Sequence, residues 1–348
     1  MIGFWCGSPY HLLIVLHMCR TINKRKVLFL YDTFPRASIA TDVLRKSGIF
    51  ETVVFIRDRE NGRIKRWYQH IFMSKELKDA FRCYEYENII FFGFDIVKIA
   101  GVIKFVKRIH PKCNFSWGED GVGSYIGIYE NAIPFKSVLW MRCSGMFRYI
   151  SYINTLYLTH PNLLVYKYKN LNVKEISKIS YAERSSIKKI LSNIFGECTL
   201  PDINLLILQQ PFGQDNKKSI EKKQNECIRY INDNNSLNHV YIKLHPRETD
   251  IYSVPNIELI DKKILFELAV DERINMSTIL TVNSTAALTP FLLWGYTPKL
   301  IFLYRFCGNE SLVQNMSEFI SKFTIEYEKE GGIIKIPANE EVLYENLF

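Results

Sequence analysis

Short apolar runs with strand character alternate with longer stretches of helical periodicity along almost the whole chain. IGFWC (Ile2–Cys6), KVLFLYD (Lys26–Asp32), ETVVFIRD (Glu51–Asp58), NIIFFG (Asn88–Gly93) and NFSWGEDG (Asn114–Gly121) read as strands. Between them lie helical segments, among them YHLLIVLHMCRTI (Tyr10–Ile22), MSKELKDAFRCY (Met73–Tyr84) and FDIVKIAGVIKFVKRIH (Phe94–His110). Strand and helix alternating on this scale imply a parallel sheet covered on both faces. The stretch from Tyr125 to Thr199 is less regular, apart from an amphipathic helix at SYAERSSIKKILSNIF (Ser180–Phe195).

After GECTLPD (Gly196–Asp202) the alternation restarts. INLLILQQP, HVYIKLHP, NIELID, STILTVN and PKLIFLY read as strands; SIEKKQNECIRYINDN, LFELAVDE and STAALTPFLLWG read as helices. The Gly and Pro punctuation there sets a domain boundary. The expected organisation is an N-terminal Rossmann-like domain at 1–196 and a C-terminal one at 197–310. A terminal segment, 311–348, is expected to pack back on the first domain. Two doubly wound halves then face each other across a cleft. At 348 residues the chain is long enough for two cores of ordinary size.

With 45 Lys and Arg against 36 Asp and Glu, the formal charge of +9 favours an anionic partner. No nucleic-acid-binding motif accompanies the scattered lysines, so nucleic acid is not expected. Peripheral contact with an anionic membrane face is compatible with the charge, and so is a solvated basic surface. The eight cysteines stand singly, without a C-x-x-C pair, which suits reduced thiols in the cytoplasm. The first twenty residues lack the basic start and small-residue cleavage site of a signal peptide. No apolar run reaches the length of a membrane-spanning helix.

In open parallel sheets, ligands bind beyond the carboxyl ends of the strands. Four strand ends carry chemistry. VYIKLHPRETD ends on His245, followed by Pro246 and Arg247; an imidazole there can donate to a phosphate oxygen or protonate a leaving group. The dipeptide also occurs at His110-Pro111 and His160-Pro161, so His245 is distinguished by its strand and its company. TVNSTAAL passes from strand to helix through Asn283, Ser284 and Thr285, where hydroxyls and unpaired N–H groups suit a phosphate, although capping alone explains the residue types. SWGEDGVGSY holds adjacent acids, Glu119 and Asp120, before Gly121; like charges in sequence raise one pKa, as a general base requires, although an acidic turn reads the same way. LQQPFGQDNK places Asp215 beyond a fourth strand, where an Asp beside Gly is also a common turn former.

Taken in chain order, Glu119-Asp120-Gly121, His245-Pro246 and Ser284-Thr285 resemble three short motifs of bacterial sialyltransferases: an acidic pair plus Gly, His-Pro, and a Ser/Thr pair. The nearest group is glycosyltransferase family 52, the lipooligosaccharide and capsule enzymes, with their streptococcal capsule relatives. The early CGSPYHLL also resembles their opening strand, turn and helix. The resemblance implies an α/β glycosyltransferase B fold, CMP-sialic acid as donor, a glycan or glycolipid acceptor of galactoside type, and no metal or other cofactor. It implies inverting transfer in capsule or lipooligosaccharide synthesis by a cytoplasmic protein on the inner membrane face, with a homodimer allowed. His245 would then be the acid toward the CMP phosphate, with Ser284 and Thr285 binding that phosphate. Glu267 in LFELA would hold the ribose hydroxyls, and Asp120 would be the base, with Asp215 as the other candidate. NST stands where some relatives carry a double serine or Ser-Gly. In the absence of an Asp-x-Asp signature, the phosphate charge falls to His245, hydroxyls, backbone N–H groups, Lys243 and Arg247.

The rival readings are a CDP-glycerol-type glycerophosphotransferase of wall-polymer synthesis and a non-catalytic nucleotide- or membrane-binding capsule-assembly protein. The first also ends a strand with His-Pro, but the acidic-Gly motif is less natural to it.

Overall fold

The computed structural model describes residues 1–57, 73–93, 95–127, 139, 141–178, 180–210, 218–234, 238–245, 254–261 and 264–347. Its chain divides into two compact units, Met1–Gly196 and Glu197–Phe348.

The first unit is built on seven parallel strands: β1 (Ile2–Cys6), β2 (Lys26–Tyr31), β3 (Thr52–Ile56), β4 (Asn88–Phe91), β5 (Asn114–Gly118), β6 (Ile153–Leu158) and β7 (Asn172–Glu175). Their order across the sheet is β3-β2-β1-β4-β5-β6-β7, so the winding reverses between β1 and β4. Helices α1 (Pro9–Thr21), α2 (Ala37–Lys46), α3 (Lys75–Cys83), α4 (Ile96–Ile109), α5 (Phe147–Ile150) and α6 (Tyr181–Phe195) belong to this unit. β1 is buried at every position and β2 at all but its first, as strands covered on both faces must be. Phe29 stacks on Phe81 at 4.6 Å and Phe91 on Phe115 at 6.1 Å, so aromatic rings fill the layers beside the sheet. Residues His11 to Met18 of α1 are all buried, and the helix also packs on α6. β6 and β7 lie in the stretch that looked irregular in sequence.

The second unit repeats the arrangement with β8 (Leu205–Leu208), β9 (Val240–Lys243), β10 (Glu258–Ile260), β11 (Thr278–Thr281), β12 (Lys299–Phe302) and β13 (Ile334–Lys335). All pair in parallel, in the order β10-β9-β8-β11-β12-β13, and the reversal falls between β8 and β11. Its helices are α7 (Lys218–Asn234), α8 (Phe266–Ala269), α9 (Tyr304–Cys307), α10 (Glu310–Lys329) and α11 (Glu340–Leu347).

Two expectations change here. The segment after residue 310 belongs to the second unit, not the first: β13 extends the second sheet beside β12. On α10, Phe323 and Tyr327 pack against Phe291 at 5.6 and 5.1 Å, and Tyr327 donates to the Pro298 carbonyl. The helix expected from Ser284 to Gly295 does not form as one element. A three-residue 3-10 turn, Thr285–Ala287, is followed by a wide turn, Pro290–Trp294, that closes on Gly295 at φ 73°. Pro290 supplies no N–H and excludes an α-helix running through it.

Candidate active site

In the first unit, the chemistry gathers where the winding reverses. β1 ends into Gly7-Ser8-Pro9. The Ser8 hydroxyl caps α1 by accepting the His11 N–H at 3.1 Å, with Pro9 at the first helical position. This fixes the first turn so that Tyr10 and His11 meet the end of β5. The Tyr10 hydroxyl donates to Glu119 Oε1 at 2.7 Å, and His11 Nε2 lies 2.6 Å from Asp120 Oδ1. The Gly7 N–H donates to His11 Nδ1 at 3.3 Å. Nδ1 is therefore the acceptor, and Nε2 carries the proton it gives to Asp120.

The two adjacent acids are divided by the alternation of the strand end. Glu119 is fully buried, and its Oε2 accepts from the Tyr125 hydroxyl at 2.8 Å and from Thr159 through its N–H at 2.7 Å and hydroxyl at 2.8 Å. Burial pushes the Glu119 carboxyl above its ordinary value, and these hydrogen bonds pull it part of the way back. The cause is desolvation, not repulsion from Asp120, which corrects the like-charge argument made from sequence. Both Glu119 oxygens are taken up by protein groups, so Glu119 anchors the site from behind instead of touching a ligand. Asp120 keeps 22% of its side chain exposed, against 7% for His11 behind it. Asp120 N–H donates to the Ser124 hydroxyl at 2.7 Å, and Gly121 turns the loop at φ 66°, a left-handed conformation costly for other residues. A Cβ on Gly118 would stand 2.2 Å from the Phe92 ring, which lies 5.8 Å from the His11 ring. Gly118 therefore makes room for the wall against which the imidazole rests.

In the second unit, His245, Asn283, Ser284 and Thr285 follow the carboxyl ends of β9 and β11, the strands on either side of β8. Adjacent strands are about 4.8 Å apart, so these ends stand about 10 Å apart across β8. The space between belongs to Gln209 and Gln210. Gln210 Oε1 accepts the Asn283 N–H at 3.2 Å, while its backbone exchanges hydrogen bonds with the Gln224 side chain on α7 at 3.1 and 2.9 Å. Thr281 donates its hydroxyl to the Leu208 carbonyl and accepts the Ser284 N–H at 3.1 Å. Ser284 in turn accepts the Ala286 N–H at 3.3 Å, leaving its own hydroxyl proton to donate. Because the following turn is so short, what this strand end can offer an anion is hydroxyls and local N–H groups, not a long helix dipole. Asn283 Oδ1 is buried without a hydrogen-bond partner.

Lys243, the last residue of β9, is 9% exposed and its Nζ has no hydrogen-bond partner. Burial lowers its pKa, against the field of Glu267 and Asp261, which raises it. Glu267, half-buried on α8, is raised by burial, with its own backbone and the field of Lys243 acting in opposition. The Trp294 indole N–H donates to the Glu267 carbonyl at 2.9 Å and ties α8 to the turn at Pro290. Asp215, Pro246 and Arg247 lie outside the described residues.

Sequence reasoning overlooked His11, Tyr10 and Gln210, although the stretches CGSPYHLL and LQQPFG were in view. The available signal was the position of His11, one helical turn past the end of a central strand. Among the described residues, no group of three or more His, Cys, Asp or Glu gathers as a metal site requires, and no helix is long and apolar enough to cross a membrane.

Solved structures share the fold. The glycosyltransferase B domain of a sialyltransferase from Photobacterium damselae superposes with a TM-score of 0.52 at 14% identity, over 97% of this chain and 100% of that one. UDP-GlcNAc 2-epimerase from Methanocaldococcus jannaschii gives a TM-score of 0.56 at 12% identity, covering 99% and 90%. Arabidopsis thaliana UGT89C1, solved with quercetin, gives 0.52 at 10% identity, covering 99% and 88%. At such identities the likeness is one of fold, and it establishes the glycosyltransferase B architecture expected from the motifs. No curated protein matches the sequence. The model of the family described as Alpha-2,8-polysialyltransferase (POLYST) matches residues 6–297 of the 348, which takes in all three motifs, and the chain therefore belongs to the alpha-2,8-polysialyltransferase family.

Proposed function

We propose that this glycosyltransferase moves sialic acid from CMP-sialic acid to a glycan hydroxyl with inversion, in the synthesis of a cell-surface polysaccharide or lipooligosaccharide. The observation that carries the reading is the His11–Asp120 pair: a partly exposed carboxylate at the winding reversal, oriented through one oxygen by a buried imidazole. Asp120 Oδ2 is left to take the proton of the acceptor hydroxyl. The acceptor oxygen then bonds to the anomeric carbon of the sialyl residue as the bond from that carbon to the phosphate oxygen breaks. CMP departs with the electron pair, on the face opposite the attack. His245 supplies a proton or hydrogen bond to the departing phosphate, and Ser284, Thr285 and neighbouring N–H groups meet its charge. The buried ammonium of Lys243 adds positive field, and Glu267 accepts from the ribose hydroxyls. In this reading no metal takes part: imidazole, ammonium, hydroxyls and N–H groups carry the charge that a bound cation carries in other transferases.

The family description favours the 8-hydroxyl of a terminal sialic acid as acceptor, whereas the sequence reading favoured a galactoside. Incubation of the protein with CMP-sialic acid and either α2,8-linked oligosialic acid or lactose, in the presence of EDTA, tests donor, acceptor and metal requirement together. Elongated product with CMP release is the expected result. Turnover of CDP-glycerol without turnover of CMP-sialic acid would overturn the donor assignment.

A further inference from the structure

The second unit buries two thiols against each other. Cys227 on α7 and Cys307 at the end of α9 are each 1% exposed, and their sulfurs stand 3.7 Å apart although 80 residues separate them in the chain. Both are free thiols. The two helices fix the pair. On α7, Ile220, Gln224, Cys227, Ile228 and Ile231 are buried at the spacing of one helical face, while Lys222, Lys223, Glu226 and Arg229 are exposed. The single turn of α9 packs on α7. Gly308 follows at once, where a Cβ would stand 2.0 Å from the Tyr304 carbonyl oxygen, so Cys307 is held at the very end of the turn.

The contact also divides the roles of the two sulfurs. The hydrogen bond from Cys227 lowers the Cys307 thiol below its ordinary value, with burial opposing and the field of Lys223 assisting. The same bond, together with burial, holds the Cys227 thiol up. The cover over Cys307 is thin: Arg305 and Asn309, two residues away on either side, are both exposed. A small uncharged oxidant needs only a local opening of this turn.

We propose that Cys227 and Cys307 are an oxidisable dithiol, which a peroxide closes into a disulfide that ties α9 to α7. The Cys307 sulfur attacks one peroxide oxygen and becomes a sulfenic acid as the other oxygen leaves and is protonated to water. The Cys227 sulfur then attacks the Cys307 sulfur and expels the sulfenic oxygen as a second water. Two thiols and one hydrogen peroxide give one disulfide and two waters; the sulfurs lose the two electrons that the peroxide gains. The sulfurs must close from 3.7 Å to about 2.05 Å, which side-chain rotation and a small slide of the one-turn α9 supply. Gln224, one turn before Cys227, holds the Gln210 backbone, and Gln210 holds Asn283. The bond therefore fastens the layer behind that strand end.

Peroxide treatment of the full chain tests this without reference to the reaction catalysed, in a background of Cys83→Ser and Cys143→Ser that removes the exposed thiols. Two thiols per chain should be lost and recovered with dithiothreitol, with no larger species on a non-reducing denaturing gel. Peptide mapping should join the peptides that hold Cys227 and Cys307. The unfolding midpoint should rise by about 5–15 °C on oxidation, since a long loop is closed. Cys227→Ala and Cys307→Ala should each abolish that rise; the peptide map decides the matter if either variant fails to fold. A full thiol count after treatment, a link between other cysteines in place of this one, or Cys307 carried on to the sulfinic acid without a link to Cys227 would each overturn the proposal and leave the pair as core filling.

Discussion

Asp120 Oδ1 receives the Nε2 proton of His11 at 2.6 Å, although 109 residues separate the two in the chain. The contact joins the opening of the first helix to the end of the fifth strand, and the hydrogen bond from the Gly7 N–H selects the tautomer that makes it. A carboxylate held in this way can receive a proton without losing its orientation.

Asp120→Asn should lower turnover about 10²- to 10⁴-fold, the range for losing a proton-transfer group, while leaving CMP affinity unchanged by calorimetry. His11→Gln should cost less, and the double variant should cost little more than Asp120→Asn alone, since His11 acts through Asp120. Full activity of Asp120→Asn would transfer the base to another residue, with Asp215 the first to test.

His245→Ala should lower turnover by a similar factor. Ser284→Ala and Thr285→Ala should instead weaken CMP binding about 5- to 10-fold each, the cost of about 1 kcal/mol for a lost hydrogen bond. Calorimetric titration with CMP separates the two effects.

Lys243→Met should leave the unfolding midpoint unchanged or raise it, because the ammonium is buried without a hydrogen-bond partner. Its Kd for CMP should rise. A fall in both stability and affinity would show that Lys243 serves the core and not the ligand.

Glu119 gives a pH signature. Its folded pKa is raised above the ordinary 4.5, so the folded state binds the proton more tightly than the unfolded one. The stability that proton contributes is complete below 4.5 and is lost as pH climbs through the raised value. Glu119→Gln should flatten that slope in unfolding midpoints measured from acid to neutral pH. At neutral pH the variant should still unfold more easily, by about 1–3 kcal/mol, because its amide faces the donors that the carboxylate satisfied.

Gly118→Ala should destabilise by about 1–3 kcal/mol through overpacking against Phe92 and should lower activity by moving the His11 wall. Phe92→Leu in the same chain should recover part of the stability.

The doubly wound architecture was legible because β1, β2, β4, β8 and β11 are apolar runs closed by Gly, Pro, Asn or Asp. β6 and β7 were not. β7 is an edge strand of four residues, mostly exposed, and β6 follows a helix of only four residues, so neither carries the usual punctuation. The last thirty-eight residues were misdirected because β13 spans two residues, too few for any periodicity to register. At the site, Asp120, His245 and Ser284 were legible as polar groups at strand ends. The inward turn of Glu119 was not, since residue type cannot tell which of two neighbouring acids faces the interior. His11 was hidden for a related reason: on a helix buried along its length, a histidine reads as filling.

β1 pairs with β2 on one side and β4 on the other, with Ile2 opposite Asn88. A ribosome adding about 5–20 residues per second needs roughly 4–17 s between making these two partners. During that interval the first strand, apolar at nearly every position, has one hydrogen-bonding edge open to other chains. Nascent chains of this protein should therefore engage holding chaperones early, and release them once Asn88–Phe91 has left the exit tunnel.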